Sequence, residues 1–194
     1  KILDPENPVL AELGSSTASF GKKVKLEELM GSLHKVHYDS DGSYSELKKW
    51  YKDISEFLGN DPEIVASPKV DGMAISLTFN KGILVSAVTR GKDGLTGQDV
   101  TDNILKLVQN IKNRIKQLEQ WDKTELRGEI YMTFSDFEKV NLTIDEEERY
   151  SNPRNTASGL MLSEDPAVNF PCLNFVAYDI RNEYFKGIYE HNKS

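Results

Sequence analysis

A chain of 194 residues, 38% hydrophobic and 28% charged, can bury one continuous core, so a single globular domain spanning 1–194 is expected. No apolar run approaches the roughly 18 residues that cross a bilayer, which excludes a helical membrane protein, and Lys1-Ile2-Leu3-Asp4-Pro5-Glu6 lacks the basic-then-apolar layout of a secretory signal. A net charge of −7 excludes the strongly basic composition with which a domain grips a nucleic acid unaided.

Local charge still leaves room for a basic face, because acidic residues gather in runs such as Asp145-Glu146-Glu147-Glu148. The lone Cys172 can form neither an internal disulfide nor a cysteine zinc site, which fits a reducing, cytoplasmic setting. It lies in the apolar stretch 171–176 and reads as a buried spectator. No metal-ligating side chain is singled out.

Residues 1–20 are polar and punctuated by Gly14-Ser15-Ser16-Thr17, as in an extended lead-in that follows an upstream domain. The chain also opens without methionine, as a trimmed chain would. The clearest helix runs from Tyr44 to Leu58, with Leu47, Trp50, Tyr51, Ile54, Phe57 and Leu58 at helical spacing. A Ser43-x-x-Glu46 capping box starts it and Gly59-Asn60 ends it, and Trp50 and Tyr51 read as helix packing.

Glu63 to Ser67 reads as a strand. Residues 74–79 and 83–88 form a hairpin through Asn80-Lys81-Gly82. A helix from Asp99 to Ile111 buries Val100, Ile104, Leu107, Val108 and Ile111. A strand at 125–131, a short helix at 135–141 and a strand at 173–180 complete the pattern. Strands dominate both halves and helices decorate them, which gives an α+β fold with mostly antiparallel sheets and flanking helices. No glycine-rich dinucleotide fingerprint supports a doubly wound alternative.

Lys69-Val70-Asp71-Gly72 follows the strand reading at 63–67 and precedes the hairpin, so its lysine emerges where the backbone turns at Gly72. Three fixed positions at ordinary residue usage recur by chance in about 4% of chains this long, so the tetrapeptide needs company. A lysine nucleophile needs its ammonium deprotonated, through desolvation or neighbouring cations. Attack at phosphorus further calls for arginines or a divalent metal to take up charge on the leaving pyrophosphate.

Four separated blocks supply that company: Lys69-Val70-Asp71-Gly72-Met73-Ala74-Ile75-Ser76, Thr89-Arg90-Gly91-Lys92-Asp93-Gly94 with its continuation to Thr101, Arg127-Gly128-Glu129-Ile130-Tyr131, and Asn152-Pro153-Arg154-Asn155-Thr156-Ala157-Ser158-Gly159. In content and order they resemble the adenylation domain of NAD-dependent DNA ligases from about Met30 onward. Met30-Gly31-Ser32-Leu33 and the aromatic stretch 175–180 are similar to two further family segments.

The resemblance implies a nucleotidyltransferase fold of the ATP-grasp-like ligase type, with NAD and Mg²⁺ as cofactors and nicked double-stranded DNA as partner. It implies that Lys69 takes up AMP, that Asp71 orients and activates the reacting groups with metal, and that Ser32 and Leu33 contact the adenosine part of NAD. Arg90 and Glu129 would hold the nucleotide, Glu129 at a ribose hydroxyl, which a carboxylate suits because it can only accept. Arg154 would contact a phosphate of NAD or of DNA. The bland alternatives are that Glu129 pairs with Arg127 and that Arg154 caps a helix or lies on the surface.

Three positions depart from the family pattern. Ser67 stands where a glutamate usually recognises adenine, Leu162 where another arginine usually follows the Asn-Pro-Arg-Asn block, and Lys92 is an extra residue in the Thr-Arg-Gly loop. The family's nicotinamide-binding helical domain and its later lysine motifs are not recognised in these 194 residues, so a further segment or partner chain is expected to supply them. Two other readings stay open: an ATP-dependent polynucleotide ligase, and a non-catalytic ligase-like subunit of a split enzyme.

Overall fold

The computed structural model describes residues 21–31, 35–37 and 39–184. The expected lead-in over 1–20 and the candidate residues Ser32 and Leu33 lie outside the described residues. In chain order the elements are β1 (Lys23–Lys25), α1 (Ser45–Leu58), β2 (Met73–Asn80), β3 (Ile83–Thr89), β4 (Thr96–Gln98), α2 (Thr101–Leu107), β5 (Lys123–Tyr131), α3 (Phe134–Leu142), α4 (Pro153–Met161) and β6 (Asn174–Asn182). Contacts divide the chain into two units, one holding everything up to Met30 and from Val70 onward, the other Gly31–Lys69.

In the larger unit, β3-β2-β5-β6 form an antiparallel sheet, and β1 pairs with β4 in a two-stranded ribbon. Strand β2 sets the division of faces, because Ile75, Leu77 and Phe79 alternate with Ala74, Ser76 and Thr78 and so point to opposite sides. The first three are fully buried. Against them pack Ile104 and Leu107 of α2, Val140 of α3, and Ala157, Leu160 and Met161 of α4. Each buried Leu, Ile or Phe contributes roughly 1.5–3 kcal/mol, so this face holds the fold together. The other face carries a small apolar cluster of Leu26, Met30 and Val88 with Val24 and Ala74, and is otherwise polar.

The α+β reading and the hairpin hold. Lys81 and Gly82, at φ 47° and 75°, form its two-residue turn, the left-handed geometry that matches strand twist. The helix expected over 99–111 is shorter. It ends at Leu107, whose carbonyl accepts from both the Cys172 and Leu173 N–H groups at 2.9 Å, and Val108 turns extended to bridge Leu173. A paired strand residue in place of another helical turn is tertiary pairing overriding local periodicity.

The strand expected at Glu63 to Ser67 does not form: this stretch pairs with no strand, and Val65 is 87% exposed. Pro62 and Pro68 bracket it and remove backbone donors at both ends. Helix α4 was not anticipated, although Asn-Pro is a start signal in which Asn152 caps and Pro153 takes the first helical position.

In the unit Gly31–Lys69, α1 stops at Gly59 in the left-handed conformation as expected. Its start differs from the capping box. The Asp39 carboxylate accepts from the Ser45 N–H and from the hydroxyls of Ser43 and Ser45, and Glu46 accepts from the His37 N–H at 2.7 Å. An aspartate six residues ahead of Ser45 thus replaces the local reciprocal pair. None of the apolar stripe is buried, and Trp50 and Tyr51 line a shallow groove with Leu47, Lys48 and Ile64. No helix among the described residues is long and apolar enough to cross a membrane.

Candidate functional site

The entry to β2 is built around a backbone approach. A Cβ added at Gly72 would lie 2.0 Å from the Ile130 carbonyl oxygen and 3.1 Å from Glu129 Cγ, so only glycine lets the chain pass here beside β5. That passage places Asp71 at the strand entrance and pairs Ala74 with Glu129 across the sheet.

Asp71 meets a residue from the other end of the unit. Arg154 Nη1 donates to Asp71 Oδ1 at 2.9 Å, with both side chains more than half exposed. Arg154 occupies the first turn of α4, which the Asn152 side chain caps by accepting from the Asn155 N–H at 2.8 Å. The Asn-Pro-Arg-Asn block is therefore a helix start that presents its arginine.

Arg90 follows β3 and is fixed by its neighbours. Its backbone N–H donates to the Ala74 carbonyl at 2.8 Å and its Nε to the Met30 carbonyl at 2.6 Å. The loop that follows is tied by Asp93, whose carboxylate accepts from the Thr96 and Leu95 N–H groups and from the Thr96 hydroxyl. These bonds, with the Thr96 N–H foremost, hold the Asp93 carboxyl below its ordinary range. Lys92 stands exposed on this loop.

Glu129 lies half-buried on β5. Strand β6 opposite it is irregular, since Arg127 pairs with Asp179 and Gly128 with Ala177, which leaves Tyr178 as an extra residue in a bulge. Tyr178 is 61% exposed. Its hydroxyl is pushed above the usual phenol range by desolvation first and then by the Glu129 charge, while Arg127 and Arg90 pull the other way. Glu129, Arg90, Arg127 and Tyr178 thus share one electrostatic neighbourhood on the polar face.

Sequence reasoning noticed the aromatic strand and did not single out Tyr178, which the structure places beside Glu129. Its signal lies in the pattern: Phe175 and Ile180 both pack on the core although five residues apart, which strict alternation forbids and a bulge explains.

Lys69 and Ser67 are exposed and lie in the unit Gly31–Lys69, outside regular structure. Of the departures, Leu162 packs against the hydrophobic core as the residue that ends α4, so it serves packing where an arginine would reach outward. Cys172 is fully buried, and desolvation, with the Asp136 charge second, pushes its thiol up to about 11. That is the inert thiol the sequence suggested.

An antiparallel sheet with a carboxylate, arginines and an exposed phenol on the face opposite its core suits a ligand that carries both phosphate and hydroxyl groups. Residues 17–192 match the profile of the NAD-dependent DNA ligase adenylation domain, and the chain belongs to that family. It is similar to the DNA ligase of Chlorobium chlorochromatii, 37% identical over 192 residues, covering 96% of this chain and 27% of the relative. The DNA ligase of Endomicrobium trichonymphae is 36% identical over 171 residues, 86% of this chain and 25% of the relative. That of Thermomicrobium roseum is 37% identical over 187 residues, 93% and 26%. The chain spans about a quarter of the length of these relatives.

Proposed function

We propose that this chain carries the AMP-accepting step of an NAD-dependent DNA ligase, within a nucleotidyltransferase fold. Lys69 Nζ, deprotonated, attacks the α-phosphorus of NAD. A nitrogen–phosphorus bond forms, the bond to the bridging pyrophosphate oxygen breaks, and nicotinamide mononucleotide leaves with the electron pair. The AMP then passes to the 5′-phosphate of a nick in double-stranded DNA, and the 3′-hydroxyl displaces it, as nick sealing in replication and repair requires.

The observation that carries this reading is the pair between Asp71, two residues after the proposed nucleophile, and Arg154 of the Asn-Pro-Arg-Asn block. Two separately predicted residues meet through their side chains. In this role Asp71 orients the reacting groups and Arg154 takes up phosphate charge. Glu129 accepts a ribose hydroxyl and Arg90 holds the nucleotide, and by the family resemblance Ser32, Leu33 and Ser67 contribute to recognition of the adenosine part.

Mg²⁺ fits this donor set as an ion carried largely by substrate phosphates. Among the described residues no three His, Cys, Asp or Glu side chains gather into a cage, and Mg²⁺ commonly binds through one or two carboxylates plus phosphate oxygens and water. Asp71 would be the protein oxygen that holds it. When bound it neutralises charge on the phosphate oxygens.

Nicotinamide recognition, the later lysine motifs and most of the grip on DNA come from a further segment or a partner chain. The net charge of −7 supports a weak DNA grip by this chain alone, and its lone cysteine supports work in a reducing, cytoplasmic compartment.

The test is mass spectrometry after incubation with NAD and Mg²⁺ in the presence of the upstream and downstream ligase segments. Addition of one AMP on Lys69, lost in Lys69→Ala, is expected. Addition from ATP and not from NAD would overturn the NAD assignment, and no addition from either would leave a non-catalytic module.

A further inference from the structure

The run Glu27–Met30 is held residue by residue from the polar face of the sheet. Lys123 pairs with the Glu27 carboxylate and Arg181 with that of Glu28. Arg127 Nη2 donates to the Glu28 carbonyl at 3.2 Å and Nη1 to the Leu29 carbonyl at 2.9 Å. The next carbonyl, that of Met30, accepts from Arg90 Nε at 2.6 Å.

Arg127 stands apart because it is buried. Its side chain is 4% exposed, and that of its partner Glu125 is 17% exposed. Glu125 accepts from Arg127 Nε at 2.7 Å and from the Ser76 hydroxyl at 2.6 Å. Taking a guanidinium and a carboxylate out of water is costly, and an apolar pair of similar volume often serves stability as well or better. What an apolar pair cannot do is reach two successive backbone carbonyls with a planar fork. The arrangement therefore specifies a course for the backbone, which ends at the carbonyl on which Arg90 rests.

We propose that Arg127 is a positioning residue for the nucleotide site, acting through the Glu28 and Leu29 carbonyls on Met30 and so on the guanidinium of Arg90. Arg127 does not itself touch the nucleotide. The proposal rests on the reading of Arg90 as a nucleotide-holding residue.

The probe is NAD binding by calorimetry in the presence of the upstream and downstream ligase segments, alongside the melting temperature and amide hydrogen exchange. Arg127→Lys keeps the charge and loses the fork. It is expected to weaken NAD binding about 10-fold and to speed exchange of the Leu26 and Met30 amides, which bond the Leu95 and Gly94 carbonyls, with Tm shifting by only a few degrees. Glu125→Met/Arg127→Met removes both charges and leaves neither orphaned. It is expected to restore Tm without restoring NAD affinity.

Wild-type affinity in Arg127→Lys, or affinity that returns with Tm in the double variant, would overturn the positioning role alone. A wild-type chain that binds no NAD even with those segments present would overturn the reading of the site as well, so the two failures are told apart.

Discussion

Arg154 Nη1 and Asp71 Oδ1 lie 2.9 Å apart across 83 residues of sequence, which joins the first turn of α4 to the entrance of β2. Both side chains are largely solvated, so the pair contributes less than about 1 kcal/mol to stability. Arg154→Ala is therefore expected to melt within a degree or two of wild type. If the arginine takes up phosphate charge, AMP addition should nevertheless slow by about 10²-fold, the scale of losing one preorganised donor. Equal Tm with reduced single-turnover adenylation is the expected result. A variant that adenylates at the wild-type rate would make the pair a surface contact only.

Gly72 is constrained by space and not by φ. A methyl group there would lie 2.0 Å from the Ile130 carbonyl oxygen, and that oxygen belongs to a buried strand that cannot yield easily. Gly72→Ala should cost about 1–3 kcal/mol as overpacking and loosen the β2–β5 register beside Glu129. A denaturant midpoint unchanged from wild type would show that the strand gives way without cost.

Much of this arrangement could be read in advance because the signals were local. The alternation in β2, the hairpin turn at Lys81-Gly82 and the apolar spacing of Val100, Ile104 and Leu107 depend on neighbours in sequence. What failed depended on distant partners. The end of α2 is set by the Leu107 carbonyl capturing the N–H groups of Cys172 and Leu173, and no window around Leu107 contains them. The cap of α1 fell to Asp39, which accepts from the Ser45 N–H and from the hydroxyls of Ser43 and Ser45 and lies outside the Ser43-x-x-Glu46 window. In the sequence Arg127 stood only within the Arg-Gly-Glu block and as an alternative partner for Glu129. Its burial, and its bonds to backbone 98 and 99 residues away, exist only in three dimensions. Lys69, Asp71, Arg90, Glu129 and Arg154 were singled out as candidates by pattern, and the contact between Asp71 and Arg154 was not foreseen.

The bulge at Tyr178 predicts a separation between ring and hydroxyl. Tyr178 is 61% exposed beside Glu129, and a flat aromatic surface next to the carboxylate proposed to accept a ribose hydroxyl offers a nucleotide base a stacking partner. Such stacking is worth about 1–3 kcal/mol by alanine substitution. Tyr178→Ala should weaken NAD binding by roughly 10- to 100-fold, since each 1.4 kcal/mol is tenfold, while Tyr178→Phe stays close to wild type. Loss in the phenylalanine variant would move the role from the ring to the hydroxyl.

The buried thiol of Cys172 gives a stability change with a definite sign. In the folded chain its pKa is raised from the ordinary 9.0 to about 11, by desolvation first and the Asp136 charge second. The folded state therefore holds this proton more tightly than the unfolded state does. Stabilisation from the thiol is fully present below about pH 9 and is lost as the pH rises to about 11. At about 1.4 kcal/mol per unit, the loss is on the order of 3 kcal/mol. Other groups titrate in the same range, so the informative quantity is the difference between wild type and Cys172→Ala, which has no thiol to ionise. Wild type should be more stable near neutrality by the packing of the sulfur, and urea midpoints should show that advantage shrinking through this window. Parallel pH profiles for the two proteins would mean that the thiolate is accommodated without cost, and the closely packed surroundings of Cys172 against the core would then have to open on ionisation.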